Sequence, residues 1–496
     1  MTFIFEEVVQ IEDNFASSFS SIFTSESKTH YPKIPKPIMK KYSFDKVALL
    51  GFLLLSGAEG FAQKNVTKSN DSNTPLHLIQ PDYPVPYGIV KAEEVEKTLQ
   101  RVHAYLEKVT PTNFINTKTN EVVSDLSKID ENTALQKGDF RLVSYEWGVT
   151  YQAMMLASQY TGDARYKEYT EKRLKFINDA VPFFKKSSGA SEDWGTKGPL
   201  KGLLNPHALD DCGAMCAAMI KSSVAGTQNN YRPLIDSHIN YIMNKEFRLS
   251  DGTLARNRPQ ASTLWLDDMF MGIPAIAQMG KLTGDKKYYD EAIKQVRQFS
   301  KRMFNPEKGV YMHGWVEGMT EHPQFHWARA NGWAILTKIE VLEALPENYP
   351  GREEVLNLLR AHVKGLTRYQ SGSGFWHQLL DRNDSYLETS ATAIYAYCFA
   401  KAINKGWIDK LAYTPATMLA WNAVSTKVNE QGQVEGTCVG TGMGFDPAFY
   451  YHRPISPFAA HGYGPVIYAG AEMLNLLKSN QFEINDSSVQ LLIKKK

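Results

Sequence analysis

Several features that would place this sequence in other protein classes are scarce. Cysteine occurs at only four of the 496 positions, Cys212, Cys216, Cys398 and Cys438. The first two have a helical i, i+4 spacing without a second ligand pair, which is typical of small core residues rather than a disulfide or zinc site. The formal net charge is only +2, so no basic surface for nucleic acid or a membrane is indicated. Stretches in which apolar and polar residues alternate with period two, the pattern of a half-buried β-strand, are few.

The N-terminal part predicts export. Residues 1–38 look unrelated to the rest, and the sequence after Met39 has the layout of a signal peptide: lysines at 40, 41 and 46, an apolar core at 47–55, and small residues at 60–62. The apolar run is too short for a permanent membrane span, and a buried core helix fits poorly with the lysines. We expect a signal peptide at 39–62 and a periplasmic protein. An extended segment at 63–90 and a catalytic domain at 91–496 would follow.

Helical periodicity and a repeat of about sixty residues dominate the remainder. TGDARY at 161–166 and TGDKKY at 283–288 are nearly identical and lie two such units apart. Conspicuous polar or aromatic residues recur near expected helix starts, at Trp147, Asp211, Asp268, Arg329, Glu388 and His461. Each interval accommodates two helices of ordinary length. Because the helices that carry these residues are apolar on most sides, we expect them inside. The sequence predicts an all-α fold, an (α/α)6 barrel of six helical hairpins, with an open superhelix as the alternative.

Two aspartate pairs occupy similar places in successive repeats. We expect Asn205 and Ser262 to be helix N-caps. The pairs Asp210–Asp211 and Asp267–Asp268 then lie five and six residues further on. In a closed barrel these helices are neighbours, so the pairs would face one cavity and at least one would be catalytic. The alternative, compensation of a helix dipole, fades beyond the first turn. One aspartate of each pair could also serve only to bind a neighbouring loop.

Other motifs give weaker signals. His322 and His326 have metal-ligand spacing, but Pro323 lies between them and no third ligand is evident, so neither a metal nor a cofactor is expected. GTCVGTGMG at 436–444 lacks the lysine and the preceding strand of a phosphate loop. It indicates a tight loop through which backbone approaches a ligand. Aromatic, acidic and arginine side chains at one end of a helical barrel would suit a sugar acid.

Five motifs together resemble the unsaturated rhamnogalacturonyl hydrolases, glycoside hydrolase family 105, which are close to the unsaturated glucuronyl hydrolases of family 88. They are DDCGAM at 210–215, RPQASTLWLDDMFMG at 258–272, HWARANGW at 326–333, YLETSATA at 386–393 and HGYGPVIYAGAEM at 461–473. The resemblance implies an (α/α)6 barrel. It also implies hydration of the double bond in a 4,5-unsaturated uronic acid, which a lyase leaves at the non-reducing end of an oligosaccharide.

The resemblance also assigns roles to the aspartates. Asp267 matches the proton donor and water activator, and Asp211 matches a second aspartate that positions the water or a sugar hydroxyl. A general acid needs a raised pKa, and we expect the apolar neighbours Trp265, Met269 and Phe270 to supply it. Asp268 departs from the pattern of many relatives, so the choice between Asp267 and Asp268 rests on the resemblance alone.

The expected substrate contacts follow from side-chain chemistry. Guanidinium binds carboxylate in a bidentate manner, so Arg256, Arg258 and Arg329 are candidates, although a structural salt bridge is favoured for Arg256. Histidines would bind hydroxyls and tryptophans would stack on sugar rings. The complete set of expected binding residues is Trp147, His207, Arg258, Asp268, His313, Trp327, Arg329, Trp333 and His461.

Two alternatives remain open for the function. The first is an inverting glycosidase acting on saturated sugars, which needs two carboxyls far enough apart to seat a water. The second is a sugar-binding barrel without catalysis. Within the favoured hypothesis, unsaturated galacturonyl-rhamnose and an unsaturated glucuronyl substrate are both candidates. The expected partner is this oligosaccharide, with no nucleic acid and no membrane, and the protein is expected to be a monomer or a small homo-oligomer.

Overall fold

Twelve long helices alternate between an outer and an inner layer in the part of the chain that the structure describes. This computed structural model describes residues 69–81, 83, 85–186, 198–322 and 324–492. The predicted signal peptide and the segment 1–38 lie outside the described residues. The outer helices are α1 Ala92–Val109, α3 Ala164–Lys186, α5 Arg232–Asn244, α7 Lys286–Met303, α9 Arg352–Thr367 and α11 Lys410–Ser425. The inner helices are α2 Tyr145–Thr161, α4 Leu209–Val224, α6 Asp268–Thr283, α8 Ala328–Ala344, α10 Thr389–Asn404 and α12 Tyr463–Ser479.

The inner helices form a closed ring. Each packs against the inner helices before and after it, and α12 packs against α2 to complete the circle. Each outer helix from α3 to α11 packs against the inner helix that precedes it, and α1 packs against α12. The predicted (α/α)6 barrel is therefore confirmed, and the open superhelix is excluded because its two ends would not meet.

The side-chain patterns of the two layers explain their positions. The inner helix α8 is buried along nearly its whole length, including its polar residues Asn331 and Thr337. The outer helix α7 buries only one face, with residues such as Ala292, Val296 and Phe299 at spacings of three and four. Close contact between inner helices needs glycine at some positions. A Cβ atom on Gly213 of α4 would lie 1.5 Å from the carbonyl oxygen of Met271 in α6.

The repeated TGD fragments make the tight turns that link an inner helix to the next outer helix. In both copies the glycine adopts a left-handed conformation, with φ of 78° at Gly162 and 74° at Gly284. In both, the amide N–H of the aspartate donates to the hydroxyl of the threonine two residues earlier. Two of the connections at the end of the barrel where the inner helices finish are therefore short turns of the same kind.

Long connections lie at the opposite end, where each inner helix begins. They contain short antiparallel strand pairs, and a further pair follows α12. The strands are β1 Phe114–Asn116 with β2 Thr133–Leu135, β3 Thr263–Trp265 with β6 Gly314–Val316, β4 Phe304–Asn305 with β5 Val310–Tyr311, β7 Trp376–His377 with β8 Leu387–Glu388, and β9 Phe482–Ile484 with β10 Val489–Leu491. The β3–β6 pair places the chain just before α6 beside the chain just before α8, which brings distant residues to one place.

The predicted N-caps are wrong. Asn205 ends a short helical turn at Lys201–Leu204, and α4 begins at Leu209. Ser262, with φ of 51°, precedes β3, and α6 begins only at Asp268 because residues 263–265 pair as a strand with residues 314–316. Both aspartate pairs consequently lie at or within the first helical turn, where acids do compensate the dipole. The argument from helix depth fails, but both pairs remain at the same end of neighbouring inner helices.

Candidate active site

Polar side chains gather where the six inner helices begin. Tyr145 starts α2, the aspartate pairs start α4 and α6, Arg329 starts α8, and Glu388 and His461 immediately precede α10 and α12. Helix N-termini carry partial positive charge and unpaired N–H groups, so six of them pointing towards one region favour an anion there. This end of the barrel combines the positive ends of the helix dipoles with long loops, whereas the inner helices present their negative ends at the other end of the barrel.

Asp267 ends a hydrogen-bonded chain that runs through three distant segments. Its Oδ2 lies 2.9 Å from Nε2 of His313, whose Nδ1 lies 2.7 Å from the hydroxyl of Tyr450. That hydroxyl in turn accepts from the amide N–H of Gly444 at 2.9 Å. If Tyr450 donates its proton to Nδ1, the imidazole must donate from Nε2 to Asp267. The chain thus fixes the orientation of a carboxylate that is 8% exposed.

The surroundings of Asp267 favour its ionised form. Burial alone raises the pKa of this carboxyl, but the charge and the hydrogen bond of His313, followed by the charges of Arg256 and Arg329, outweigh burial. The pKa of Asp267 therefore lies below its usual value, and the expectation of a raised value is wrong for the protein without substrate. The apolar neighbours were visible in the sequence, whereas His313 is 46 residues away and comes close only through the antiparallel pairing of β3 with β6.

Asp268 is held by an arginine instead of facing the cavity. Its side chain is fully buried, and Nε and Nη2 of Arg256 donate to its two oxygens at 2.7 and 2.5 Å. The same guanidinium reaches Asp210 at 2.9 Å and lies over the Trp265 ring. Arg256 thus forms a structural salt bridge. Because both carboxylate oxygens of Asp268 are already bonded, its assignment as a substrate-binding residue is corrected to that of a buried support.

Asp211 and Arg258 are two accessible charged groups of this region. The Asp211 carboxylate is 23% exposed and accepts from the backbone N–H of His207 at 3.0 Å, with the His207 Nδ1 at 2.7 Å. Arg258 is 58% exposed, reaches Asp210 only at 3.4 Å and lies over the face of Trp265. An exposed guanidinium beside a partly exposed tryptophan is suited to the carboxylate and ring of a sugar acid. These placements leave Asp211, His207 and Arg258 accessible, so the roles expected for them stay predictions.

Arg329 anchors the Gly-rich loop. Its Nη1 and Nη2 donate to the carbonyl oxygens of Cys438 and Val439, each at 2.6 Å, and the side chain is buried. The N–H of Cys438 donates to Glu388, which also caps α10. The loop at 436–444 is therefore fixed to the starts of α8 and α10. Its position makes Arg329 a support for the loop in this structure, so Arg258 is the exposed one among the three arginines named from the sequence.

The Gly-rich loop crosses the mouth of the site. A Cβ atom on Gly440 would lie 3.9 Å from the His461 ring, and one on Gly442 would lie 3.5 Å from the Trp265 ring. Since His461 precedes α12 and Trp265 precedes α6, the loop extends over the barrel end from one side to the other. Glycine at these positions leaves the backbone close to whatever the site holds.

The three tryptophans expected to stack on sugars are all buried. Trp147 stacks on Phe140 and donates from Nε1 to the hydroxyl of Tyr169, so it lies in the core between α2 and α3. Trp327 donates to Gln378, and Trp333 stacks on Phe270 inside the barrel. Their assignment as open stacking faces is wrong, because an aromatic residue at the start of an inner helix can equally point outwards or between helices. Trp265 is the partly exposed ring instead.

Tyr145 and Tyr450 are site residues that the sequence analysis missed. The hydroxyl of Tyr145 lies 2.6 Å from Nε2 of the buried His461, and its ring meets Trp333 edge-on. Burial, followed by the charge of Arg329, lowers the pKa of His461, so this histidine is neutral. Tyr145 carried a signal, since it follows the N-cap Ser144 at the start of an inner helix. Tyr450 carried none, because its partner His313 is 137 residues away.

Metal binding finds no support in the histidines noted in the sequence. Nδ1 of His326 lies 3.0 Å from a carboxylate oxygen of Asp381, and Nδ1 of His322 accepts a hydrogen bond from the backbone N–H of Val316. Within the described ranges, no group of three or more histidine, cysteine, aspartate or glutamate residues is arranged to hold a metal ion. None of the helices in these ranges is both long and apolar enough to cross a bilayer.

Comparison with known proteins decides the family. The model of Glycosyl Hydrolase Family 88 matches residues 107–477. The chain belongs to glycosyl hydrolase family 88. It is therefore a glycoside hydrolase, and the resemblance seen in the motifs is confirmed at the level of the family. The matched range includes every inner helix except the last residues of α12, and it includes all the side chains described above.

Individual relatives are distant. The chain is 27% identical over 244 residues to the unsaturated rhamnogalacturonyl hydrolase YesR of Bacillus subtilis, which covers 48% of this chain and 69% of that protein. It is 28% identical over 216 residues to an unsaturated 3S-rhamnoglycuronyl hydrolase of an Alteromonas species, which covers 42% of this chain and 51% of that protein. A solved structure, a possible member of the GH105 family from Salmonella enterica, superposes with a TM-score of 0.61 at 23% identity over 82% of this chain and 99% of its own. That likeness shows that this chain and the Salmonella protein share the helical barrel fold.

Proposed function

We propose that this family 88 enzyme removes a 4,5-unsaturated uronic acid from the non-reducing end of lyase-generated oligosaccharides. The observation that carries the proposal is the buried Asp267–His313 pair beside the exposed Arg258, at the end of the barrel where six helix N-termini converge. This arrangement suits an anionic sugar that must receive a proton. The names of the Bacillus and Alteromonas relatives, both hydrolases of unsaturated substrates, support the same class.

In the proposed reaction, Asp267 transfers a proton to C4 of the enol ether. The positive charge that develops at C5 and the ring oxygen is stabilised by the carboxylate that Asp267 becomes when it gives up its proton. A water adds its oxygen to C5 and returns a proton to Asp267, so the enzyme ends as it began. The resulting hemiketal opens, and the aglycone leaves from C1.

Substrate binding supplies the protonated acid that this reaction needs. Without substrate, the charges around Asp267 hold its pKa low. A substrate carboxylate bound nearby adds negative charge and excludes water, and both effects raise the pKa of a neighbouring carboxyl. Asp267 would thus take up its proton as the substrate binds. Asp268 is the poorer candidate for the donor because both of its oxygens already accept from Arg256.

The accessible groups have complementary tasks in this proposal. Arg258 binds the substrate carboxylate, Trp265 lies against the sugar ring, and Asp211 with His207 holds the water or a hydroxyl group. Tyr145 and the neutral His461 provide further hydrogen bonds inside the site. Within the substrate class we propose unsaturated galacturonyl-rhamnose from rhamnogalacturonan, a pectin, as the preferred oligosaccharide, because the Bacillus relative bears that activity in its name.

Loss of the ultraviolet absorbance of the conjugated double bond tests the activity. The purified enzyme is incubated with oligosaccharides from a rhamnogalacturonan lyase, with a glycosaminoglycan-type unsaturated disaccharide, and with saturated oligosaccharides of matching composition. We expect the absorbance to fall with the first, more slowly with the second, and no release of sugar from the third. Cleavage of the saturated substrate would instead indicate an inverting glycosidase, and binding without turnover a sugar-binding barrel; either result overturns the proposal.

We also propose that the protein is exported, with cleavage after Ala62. The support is the order of the lysines, the apolar core and the small residues at 39–62. Mass spectrometry of the protein expressed in its natural host should give a mature N-terminus near Gln63 in the periplasmic fraction. A mature protein that retains residues 39–62 in the cytoplasmic fraction would contradict this.

A further inference from the structure

A cavity of about 430 Å³ lies on the barrel axis at the end opposite to the active site. It is formed near the ends of the inner helices, and each of them contributes at least one side chain. Examples, in the order of the helices from α2 to α12, are Gln159, Lys221, Lys281, Glu343, Lys401 and Tyr468. An inner helix such as α6, with 16 residues, is about 24 Å long. This cavity is therefore separate from the region around Asp267.

Part of its charge has an ordinary structural reason. Helix C-termini carry partial negative charge, and lysines in the last turn compensate it. Lys221 binds the buried Glu340 at 2.6 Å, and Lys401 binds the buried Glu472 at 2.8 Å. These pairs neutralise themselves and need no ligand.

The rim of the cavity is different. Five of the lining residues are lysines, and Glu343 is the single carboxylate among them. Lys405 approaches Glu343 only at 3.6 Å, and the exposed Lys281 has no carboxylate partner within the ranges that the structure describes. The rim thus keeps positive charge that the helix C-termini and the buried carboxylates do not fully neutralise.

Hydroxyl and amide groups line the wall below these lysines. The rings of Tyr397 and Tyr468 lie 4.5 Å apart, and both side chains are buried. Neither hydroxyl hydrogen-bonds to any residue in the described part of the chain, although buried tyrosine hydroxyls ordinarily find a partner. Gln159 and Ser158 complete a polar wall on α2. These groups match the hydroxyls of a sugar.

We propose that this cavity is a second binding site, distinct from the active site, for a small hydroxylated carboxylate such as a monomeric sugar acid. The ligand's carboxylate would meet Lys281 and Lys405 at the rim, and its hydroxyls would meet Tyr397, Tyr468 and Glu343. The volume lies within the usual range of ligand pockets, about 300–1,000 Å³. The proposal does not depend on the reaction at the other end of the barrel.

Titration calorimetry of the full chain with galacturonate, galactose and sulfate tests this site. An Arg258→Glu variant weakens binding at the active-site end, so the remaining binding reports on the cavity. We expect galacturonate to bind this variant, galactose to bind at least tenfold more weakly, and sulfate not to displace galacturonate at equal concentration. Displacement by sulfate would show an anion site without sugar recognition and would overturn the assignment.

Two further variants locate the binding. Lys281→Glu combined with Lys405→Glu should reduce galacturonate affinity at least tenfold while hydrolysis of unsaturated oligosaccharides stays within twofold of the parent. Tyr468→Phe removes only a hydroxyl and should reduce galacturonate affinity a few-fold, with an unchanged thermal midpoint. Undiminished galacturonate binding in both variants, or binding lost only with Arg258→Glu, would overturn the second site even if the enzyme proves active.

Discussion

The two ends of this barrel are made from the same six inner helices and differ in nearly every other respect. Where the helices begin, long loops converge and aspartates occupy first turns, as at Asp211 and Asp268. Where they end, the connections are mostly short and lysines occupy last turns, as at Lys221 and Lys401. The direction of the helices thus accounts for the sign of the charges at each end. It does not account for which charge performs chemistry.

Two adjacent residues at the active-site end show what distinguishes a candidate catalytic charge from a structural one. Asp267 and Asp268 have the same side chain and neighbouring places at one helix start. Asp268 is fully buried and paired with Arg256, whereas Asp267 keeps some exposure and is oriented by a hydrogen-bonded chain through His313 and Tyr450. The local partner, rather than the residue type or the helix position, separates a structural carboxylate from a candidate catalytic one.

Replacing Asp267 and Asp268 in turn should give the largest difference in kcat between two variants. Asp267→Asn removes the proposed proton donor, and general acid–base groups contribute about 10²–10⁴-fold to turnover. We expect that loss in kcat with nearly unchanged substrate binding, because the amide keeps the shape of the carboxyl group. Steady-state kinetics and equilibrium binding measure the two quantities, and circular dichroism checks the fold.

Asp268→Asn is the matched control for that variant. It should be clearly milder in kcat and should act mainly on stability. If Asp268→Asn abolishes turnover while Asp267→Asn is active, the assignment of the two residues is reversed.

Arg256→Met should produce the largest loss of stability. It leaves Asp268 buried without its partner, and breaking a buried ion pair in this way costs about 3–5 kcal/mol in the free energy of unfolding. Urea denaturation measures it. Arg258→Met, on the exposed neighbour, is the control and should change stability by less than about 1 kcal/mol while weakening substrate binding. Equal destabilisation by both would show that the Arg256–Asp268 pair has no special role.

Tyr450→Phe should reduce turnover by about two- to tenfold, the value of one hydrogen bond of 0.5–1.5 kcal/mol. Without the hydroxyl, Nδ1 of His313 loses its donor, so the imidazole is no longer constrained to carry its proton on the Nε2 that faces Asp267. We therefore expect the acidic limb of the kcat–pH profile to move as well. Tyr451→Phe removes the neighbouring hydroxyl, which binds Asp384 instead, and should leave both quantities unchanged. An unaltered profile in Tyr450→Phe would remove Tyr450 from the site.

Glu246→Gln should give a smaller, pH-dependent gain in stability. Burial, with the negative charge of Asp268, raises the pKa of Glu246 to about 7. The folded protein then binds this proton more tightly than the unfolded chain, so stability falls as pH rises from about 4.5 to about 7. The variant should match the parent at pH 4 and exceed it by about 1 kcal/mol at pH 8, after allowance for partial exposure. Denaturation at both pH values measures this.

The surface variant Glu430→Gln controls for the loss of one negative charge, since Glu430 is exposed and far along the sequence. A gain of the same size in this variant, or one that does not depend on pH, would contradict the explanation given for Glu246.

The sequence predicted the architecture well because the barrel repeats. A period of about sixty residues, apolar inner helices and the two TGD turns were all local signals, and the structure reproduces them. Candidate site residues could be placed at one end of the barrel where a motif put them on a helix start, as for Asp211 and Asp267. The sequence analysis failed where the deciding contact joins distant segments: the pairing of β3 with β6 moved the start of α6, and His313 lowered rather than raised the pKa of Asp267. Trp147 shows the same limit, since the direction of an aromatic side chain depends on packing against α3.

The position at which water enters the product tests the central claim most directly. The reaction is run in deuterated water and, separately, in water labelled with oxygen-18, and the released uronic acid is examined by NMR and mass spectrometry. Protonation of the enol ether by Asp267 followed by hydration predicts one deuterium at C4 and the labelled oxygen at C5. Labelled oxygen at C1 with no deuterium at C4 would show direct displacement at the glycosidic carbon and would contradict the account.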